Sequence, residues 1–524
     1  MGKFGDKILN ILGVESKLGE FLRPAANYTC ASITLGGAGY PIGQFHQQYL
    51  AYVEKLDTRQ AGLISLINGV WDAFNDPIMG IITDRTKSRY GRHRPYLLFG
   101  AIPFAIAYIM RWTSFGLSAG VGADKTGLIL YYLIAAIFYS MSYTVMSIPY
   151  VSMLPTIAPQ YFMRTQYKLV EYMMNSVGQV SSYIFTALAL SGFNVRTALT
   201  GLPTPSADDR GRYMMVGLIL AAWFLWPPML SAIKTKEPSS LGQVNEPVNW
   251  RSLFREYALV FKNRSFRQYF LISLFFSMSR GFYSQTDQYF MVSVADMYKY
   301  FISLNIVAGI SEFMGSPLNY LLVRYKGKTF CGKLLGPLMV TGLILNVFIG
   351  VDTAPKIKTA IIFVSAILYN FGFSGPGFVD DNIQPDVTDV DELITGRRRE
   401  GVVGTFSNLF RKTVSSVMSY IVGASLKRFG YDPEVKLPSE QSPLTILGLK
   451  LDFAVFPSLL ALFCLIEIWL YTMTKKDHEK IKEVIRQKRE TGRVEIDELE
   501  KKRIERIAGQ KWEDMWIGSP EPVT

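Results

Sequence analysis

Apolar segments of about 20 residues or more recur along most of this chain, and each is long enough to cross a bilayer. They occupy approximately 25–53, 60–83, 96–115, 127–151, 167–191, 213–233, 268–294, 298–323, 332–350, 358–382, 402–427 and 447–473. Hydrophobic residues make up 49% of the 524 positions. A soluble chain of this length would usually divide that content among several domains joined by linkers, and no such alternation occurs before residue 475. The expected fold is therefore an all-α polytopic membrane protein with twelve transmembrane helices.

A formal net charge of +12 raises nucleic acid as a partner, but the distribution of the charge argues for a lipid bilayer instead. Basic residues gather at 85–94, 234–267, 324–333 and 397–399, whereas 54–59 and 296–299 carry balanced charge. This alternation follows the positive-inside rule and places both termini in the cytoplasm. The segment 192–212 mixes Arg196, Arg210 and Arg212 with Asp208 and Asp209, and an even helix count puts it outside. Cys30, Cys331 and Cys464 are isolated and have no metal or disulfide spacing. Residues Lys3 to Leu22 are amphipathic and mixed in charge, unlike a cleavable signal, so the first span is expected to act as the insertion signal.

The expected organisation is an N-terminal six-helix half (1–233), a cytoplasmic linker with Pro238 and Pro247 (234–267), a C-terminal six-helix half (268–473) and a cytoplasmic tail (474–524). A shift of 240 residues superposes Pro77 on Pro317 and Asp72 on Glu312, a faint repeat consistent with two six-helix pseudo-repeats. The tail is rich in Lys, Arg and Glu, with Ile481, Val484, Ile485, Ile504 and Ile507 interspersed and a break at Thr491-Gly492. It is read as a solvated helix, with a membrane-surface or regulatory role as the alternative.

Asp72 and Asp76 share one face of the second segment, since they stand one helical turn apart. Carboxylates inside a membrane span are expensive unless a cation or proton neutralises them. Asp72, Asn75 and Asp76 together offer the oxygen ligands that hard cations prefer. A basic turn follows, with Arg85, Lys87, Arg89, Arg92 and Arg94.

This stretch resembles the glycoside–pentoside–hexuronide:cation symporters, the melibiose-carrier branch of the major facilitator superfamily. Two further motifs carry the resemblance. Met141 to Tyr150, followed by Met153-Leu154-Pro155-Thr156, resembles the family's fourth helix and next loop. Asp386, Asp389, Glu392 and Thr395 to Gly401 resemble its loop between helices ten and eleven. The resemblance covers roughly Ala25 to Met473 and is specific as a set. It implies a cation site at Asp72, Asn75, Asp76 and Thr144, for sodium or otherwise a proton. It implies a switching gate at Gly80, Asp84, Arg85, Arg92, Arg94, Arg398 and Glu400, in which Gly80 would let two helix backbones approach closely. Lys412 matches a lysine of the family's substrate cavity, although snorkelling beside Arg411 is the competing reading.

The resemblance fails at the sugar site. No Asp, Glu, Lys or Arg lies between Arg23 and Glu54, where melibiose-type members carry an aspartate on helix one. Ser147 replaces their helix-four aspartate, Val151 a nearby tryptophan and Glu171 a helix-five arginine. Candidate replacements are Gln44, His46, Gln47 and Gln48 in the first segment, Tyr143 and Ser147 in the fourth, Arg280 and Asp287 in the seventh, and Asp380 and Asp381 in the tenth. The alternative role for any of these is a structural ion pair or a place at a helix end.

The function expected is cation-coupled symport of a glycoside, oligosaccharide or sugar acid by a monomer in the cell membrane, through alternating access. A lysolipid or other amphiphile is the rival solute. A polytopic enzyme is disfavoured, since no metal spacing, nucleophile elbow or phosphate loop occurs and the three histidines (His46, His93, His478) are scattered. A sensor that keeps the fold without transport is the remaining alternative.

Overall fold

The computed structural model describes residues 18–117, 125–158, 161–200, 206–237, 260–397, 400–432, 435, 440–494 and 496–518. Among these every regular element is a helix and no strand occurs. A helix satisfies each backbone polar group within its own segment, which lipid requires. Six helical stretches are long and apolar enough to cross a membrane by length and composition: Thr126–Leu154, Ala207–Lys234, Tyr298–Val323, Lys328–Phe348, Pro355–Thr395 and Pro443–Leu470. The helices Thr58–Arg85 and Arg264–Ser293 stand outside that set, and they carry the polar side chains singled out above.

The first segment is not one uniform helix. It runs as Leu18–Thr29, Ala31–Gly37 and Gly39–Pro41, and then widens into π-helical turns at Ile42–His46 and Tyr49–Val53. Such turns interrupt the regular backbone ladder and are common where a helix serves a site. The next helix opens with a capping box at Asp57, whose side chain accepts from Arg59 N at 2.8 Å while Gln60 accepts from Asp57 N at 3.2 Å.

The chain divides into two compact units. The first comprises Met1–Glu246, Met291–Gly309 and Ser419–Ser442. Its interior is aromatic, with Tyr49, Trp112, Tyr132 and Tyr213 all buried. A Cβ built on Gly178 would fall 2.1 Å from the Ile33 carbonyl oxygen, so the helices Ala31–Gly37 and Tyr161–Leu190 meet backbone to backbone. A Cβ built on Gly80 has nothing within 4 Å of it among the described residues. Within this unit the 291–309 and 419–442 segments clasp the end of the first segment. Thr58 Oγ1 donates to the Gly423 carbonyl at 3.3 Å, Lys427 pairs with Asp57, and the Tyr431 hydroxyl bonds those of Tyr52 and Ser293.

The second unit comprises Pro247–Phe290, Ile310–Met418 and Pro443–Thr524. Its core continues into the tail, where the solvated reading fails. The tail forms helices Lys475–Thr491 and Glu498–Ala508, broken at Gly492 as its sequence indicates. Ile481, Val484, Ile485, Ile504 and Ile507 are buried in one cluster with Val387, Val390, Leu393 and Ile394 of the Pro355–Thr395 helix. Charge pairing matches the apolar contact. His478 Nε2 lies 2.8 Å from Asp389, Lys328 Nζ 2.6 Å from Asp386, and Arg489 Nη2 2.7 Å from Glu392. Protein, not lipid, covers the tail's apolar face.

Truncating buried aliphatic side chains costs about 2–5 kcal/mol for Ile and less for Val. Ile481→Ala combined with Val484→Ala is therefore expected to lower the thermal unfolding midpoint of the detergent-solubilised protein. An unchanged midpoint would return the tail to the solvated reading.

Candidate functional site

The helix Thr58–Arg85 places Asp72 and Asp76 toward the helix Thr126–Ile157. Thr144 is fully buried, and its Oγ1 lies 2.9 Å from Asp76 Oδ1 and 3.4 Å from Asp72 Oδ1. One hydroxyl carries a single proton, so it cannot donate to both carboxylates at once. Ser140 donates a second hydrogen bond to Asp72 Oδ1. Four oxygen-bearing side chains, those of Asp72, Asp76, Ser140 and Thr144, thus converge. That chemistry suits a hard cation or a shared proton. Sequence reading reached Thr144 but missed Ser140, although Ser140 lies one turn before Thr144 on the same face. Asn75 is half-buried on the same helix, and its Nδ2 has no hydrogen-bond partner among the described residues.

Nearby polar groups of the first unit fall into two kinds. Some are already engaged. The Tyr143 hydroxyl donates to the Leu35 carbonyl at 2.7 Å and ties two helices together. His46 is a solute candidate by sequence, but its Nε2 lies 2.9 Å from the Arg111 carbonyl and its Nδ1 3.1 Å from Arg111 Nη2. Glu54 Oε1 accepts from Tyr49, Tyr132 and Ser114 at 2.7, 3.0 and 3.2 Å. Others keep unused capacity. Both amide atoms of Gln47 and of Gln48, and Oε1 of Gln44, are buried without a partner among the described residues. Gln44 lies in the π-helical turn Ile42–His46, and Gln47 and Gln48 lie between the two π-helical turns. Ser147 is half-buried, and Glu171 is half-buried beside Tyr28 and Tyr150.

Asp287, Asp380 and Lys412 belong to the second unit. Asp380 is paired, with Arg411 Nη1 at 3.3 Å from its Oδ2 and 2.8 Å from Asp381 Oδ1. Lys412 is half-buried in the helix Glu400–Arg428. Asp287 is buried and has no such partner.

The basic turn is organised by a residue that sequence reading missed, Glu237. Its carboxylate caps the helix Arg94–Arg111 by accepting from the His93 and Arg94 backbone N–H groups at 3.1 and 3.2 Å and bonding His93 Nδ1 at 2.6 Å. An anion at a helix N-terminus is favoured by the orphan N–H groups and the macrodipole. Arg94 Nε donates to the Ala232 carbonyl at 2.7 Å, and Arg85 is exposed. Burial alone would raise the Glu237 pKa, but the bond and charge of His93 and the two backbone N–H groups outweigh it and hold the carboxyl below the usual glutamate range. Arg398 and the side chains of Asp84 and Glu400 lie outside the described residues.

Gly91 supports this clasp with φ +92° and a built Cβ 2.2 Å from Glu237 Oε2. Gly91→Ala would add both left-handed strain and a clash, at about 1–3 kcal/mol for the backbone alone. Its unfolding midpoint should fall below that of the parent. A depressed carboxyl stabilises only above its unfolded pKa, so the contribution of Glu237 should be full at neutral pH and fade as pH drops below about 4.5. Equal pH dependence of stability for the parent and Glu237→Gln would contradict this.

A family model described as MFS/sugar transport protein matches residues 27–475. The chain is 26% identical to the sodium-dependent lysophosphatidylcholine symporter 1 of Gallus gallus, over 87% of this chain and 88% of that protein. It is 25% identical to the isoprimeverose transporter of Lactiplantibacillus pentosus, over 71% and 72%. Among solved structures it is similar in fold to the nucleoside transporter NupG, with a TM-score of 0.58 at 14% identity, covering 84% of this chain and 98% of that one.

Proposed function

We propose that this chain, which belongs to the MFS/sugar transport protein family, couples the entry of a cation to uptake of a glycoside, oligosaccharide or sugar acid. It is an integral multi-pass membrane transporter and not an enzyme. Under this reading twelve spans place both termini in the cytoplasm, and transport proceeds by alternating access. The observation that carries the reading is the convergence of Asp72 and Asp76 on the single hydroxyl of Thr144. Asp72, Asp76, Asn75 and Thr144, with Ser140, hold the ion, which is sodium in preference to a proton.

The solute assignment rests on the first-segment glutamines. An amide both donates and accepts, so Gln44, Gln47 and Gln48 suit hydroxyl groups without needing a charge on the solute. Ser147, Tyr143, Glu171 and Lys412 complete the proposed set, and the basic turn with Arg92, Arg94, Arg398 and Glu400 acts as the gate. Kinship with the Gallus gallus symporter supports a second reading, in which the solute is an amphiphile. Uptake by proteoliposomes from a panel of labelled glycosides, sugar acids and lysolipids, with and without a sodium gradient, separates the two.

Asp72→Asn and Asp76→Asn should abolish sodium-driven accumulation while leaving some solute exchange. Thr144→Val should weaken sodium about tenfold or more, because a hydrogen bond to a charged group is worth about 1.5–3 kcal/mol. Full accumulation in either aspartate variant would refute the ion site. Melibiose should fail to compete, since Ser147 and the first segment lack the carboxylates it needs. Displacement of bound solute by sub-millimolar melibiose would show that another acid has taken over that role.

A further inference from the structure

Asp287, a solute candidate by sequence, sits in surroundings unlike those of the other acids. It lies on the helix Arg264–Ser293 and is 6% exposed, and its Oδ1 is buried with no hydrogen-bond donor. Neither oxygen is ion-paired among the described residues. Its flanking helical neighbours are aromatic and packed. Tyr283 lies one turn before it, with its ring 4.0 Å from that of Tyr369 on the helix Pro355–Thr395. Phe453, in the π-helical turn Leu451–Val455, stacks at 5.0 Å on Tyr283 and at 4.3 Å on Phe290.

The charged and titratable groups around it are few, and the cations have other company. On its own helix, Arg280 stands two turns away over the Phe373 ring at 5.1 Å and in the field of Glu312 and Asp380. Glu312 approaches from the helix Phe301–Lys326, and the Tyr369 hydroxyl feels Arg280, Glu312 and Asp287 together. Arg411 is held by Asp380 and Asp381. From the segment 443–455, Lys450 donates to the Val347 carbonyl at 3.2 Å, and Asp452 adds a further buried carboxyl and no positive charge. Thr286 Oγ1 and both amide atoms of Gln288 are also buried without partners. None of these neutral groups is hydrogen-bonded to the Asp287 carboxyl among the described residues.

An ionised carboxylate in such a place would be uncompensated, and groups so placed neutralise instead. Intramembrane acids of this kind mark proton relays. We propose that Asp287 holds an exchangeable proton, a protonation site in the second unit separate from the cation site at Asp72 and Asp76. The proton leaves when rearrangement of the helix brings the carboxyl to water and returns when it is buried, so the rate of transport depends on pH through this residue. The second part rests on the symport reading, and the first does not.

Infrared difference spectra of the detergent-solubilised full chain test the protonation without any solute. At neutral pH the parent minus Asp287→Asn difference should contain one neutral-carboxyl stretch, and this should shift on transfer to D2O. Asp287→Glu should restore a neutral-carboxyl band. Absence of the band means that Asp287 is ionised, and a band that never shifts means that its proton is locked; either overturns the proposal. In proteoliposomes, sodium-gradient-driven uptake of labelled isoprimeverose serves as the transport probe, with the panel's best solute in its place if uptake is poor. A one-proton step changes the rate by up to about tenfold per pH unit. That step should be present in the parent and in Asp287→Glu and lost in Asp287→Asn. A step that persists in Asp287→Asn would overturn the coupling, while a parent that transports nothing would sink the symport reading and leave the infrared result standing.

Discussion

A carboxylate among apolar helices costs several kcal/mol unless something neutralises it. The acids of this chain meet that cost in distinct ways. Asp380 and Asp381 share Arg411, and Asp386, Asp389 and Glu392 are matched by Lys328 and by the tail residues His478 and Arg489. Glu54 Oε1 accepts from three hydroxyls, while its Oε2 is buried without a hydrogen-bond partner among the described residues. Asp72 and Asp76 converge on the hydroxyls of Ser140 and Thr144, and Asp287 lies beside packed aromatic rings with its Oδ1 unpartnered among the described residues. Acids matched by basic side chains hold helices together. At Asp72, Asp76 and Asp287 an ion or a proton is proposed to neutralise the charge.

The same logic explains the tail. The acidic motif at 386–392 stands at the end of a 41-residue helix, where its four carboxylates, Asp386, Asp389, Asp391 and Glu392, would repel one another if left alone. The tail supplies opposite charge and an aliphatic face in one element, so the motif, the tail and the core of the second unit form one cooperative structure. Any rearrangement of the Pro355–Thr395 helix must carry the tail with it or detach it.

In the first segment, irregularity has a comparable role. The π-helical turns change the register at which side chains leave the helix, with Gln44 inside the first turn and Gln47 and Gln48 between the two. An amide buried without a partner is costly in a purely structural role. It becomes useful where a polyhydroxyl solute supplies both donors and acceptors. His46, adjacent in sequence, is instead held by Arg111 and serves packing.

Much was legible in the sequence because it is local. Segment length gave the helical membrane fold, and the one-turn spacing of Asp72 and Asp76 gave a shared face. The break at Gly492 was visible because glycine readily takes the left-handed conformation that ends that helix. What the sequence could not show was which groups meet across distance. Hydrophobic pattern says that Ile481 and Val484 want cover, but not whether lipid, water or protein provides it; only packing against Val387 and Val390 decided that. The close approach of the helices Ala31–Gly37 and Tyr161–Leu190 falls at Gly178, because backbone proximity depends on how helices cross and not on where glycines occur. Glu237 lies far along the chain from His93, so no local signal announced its cap. Asp287 and Asp380 looked alike as intramembrane acids, and only the three-dimensional neighbours, an arginine for one and aromatic rings for the other, set them apart.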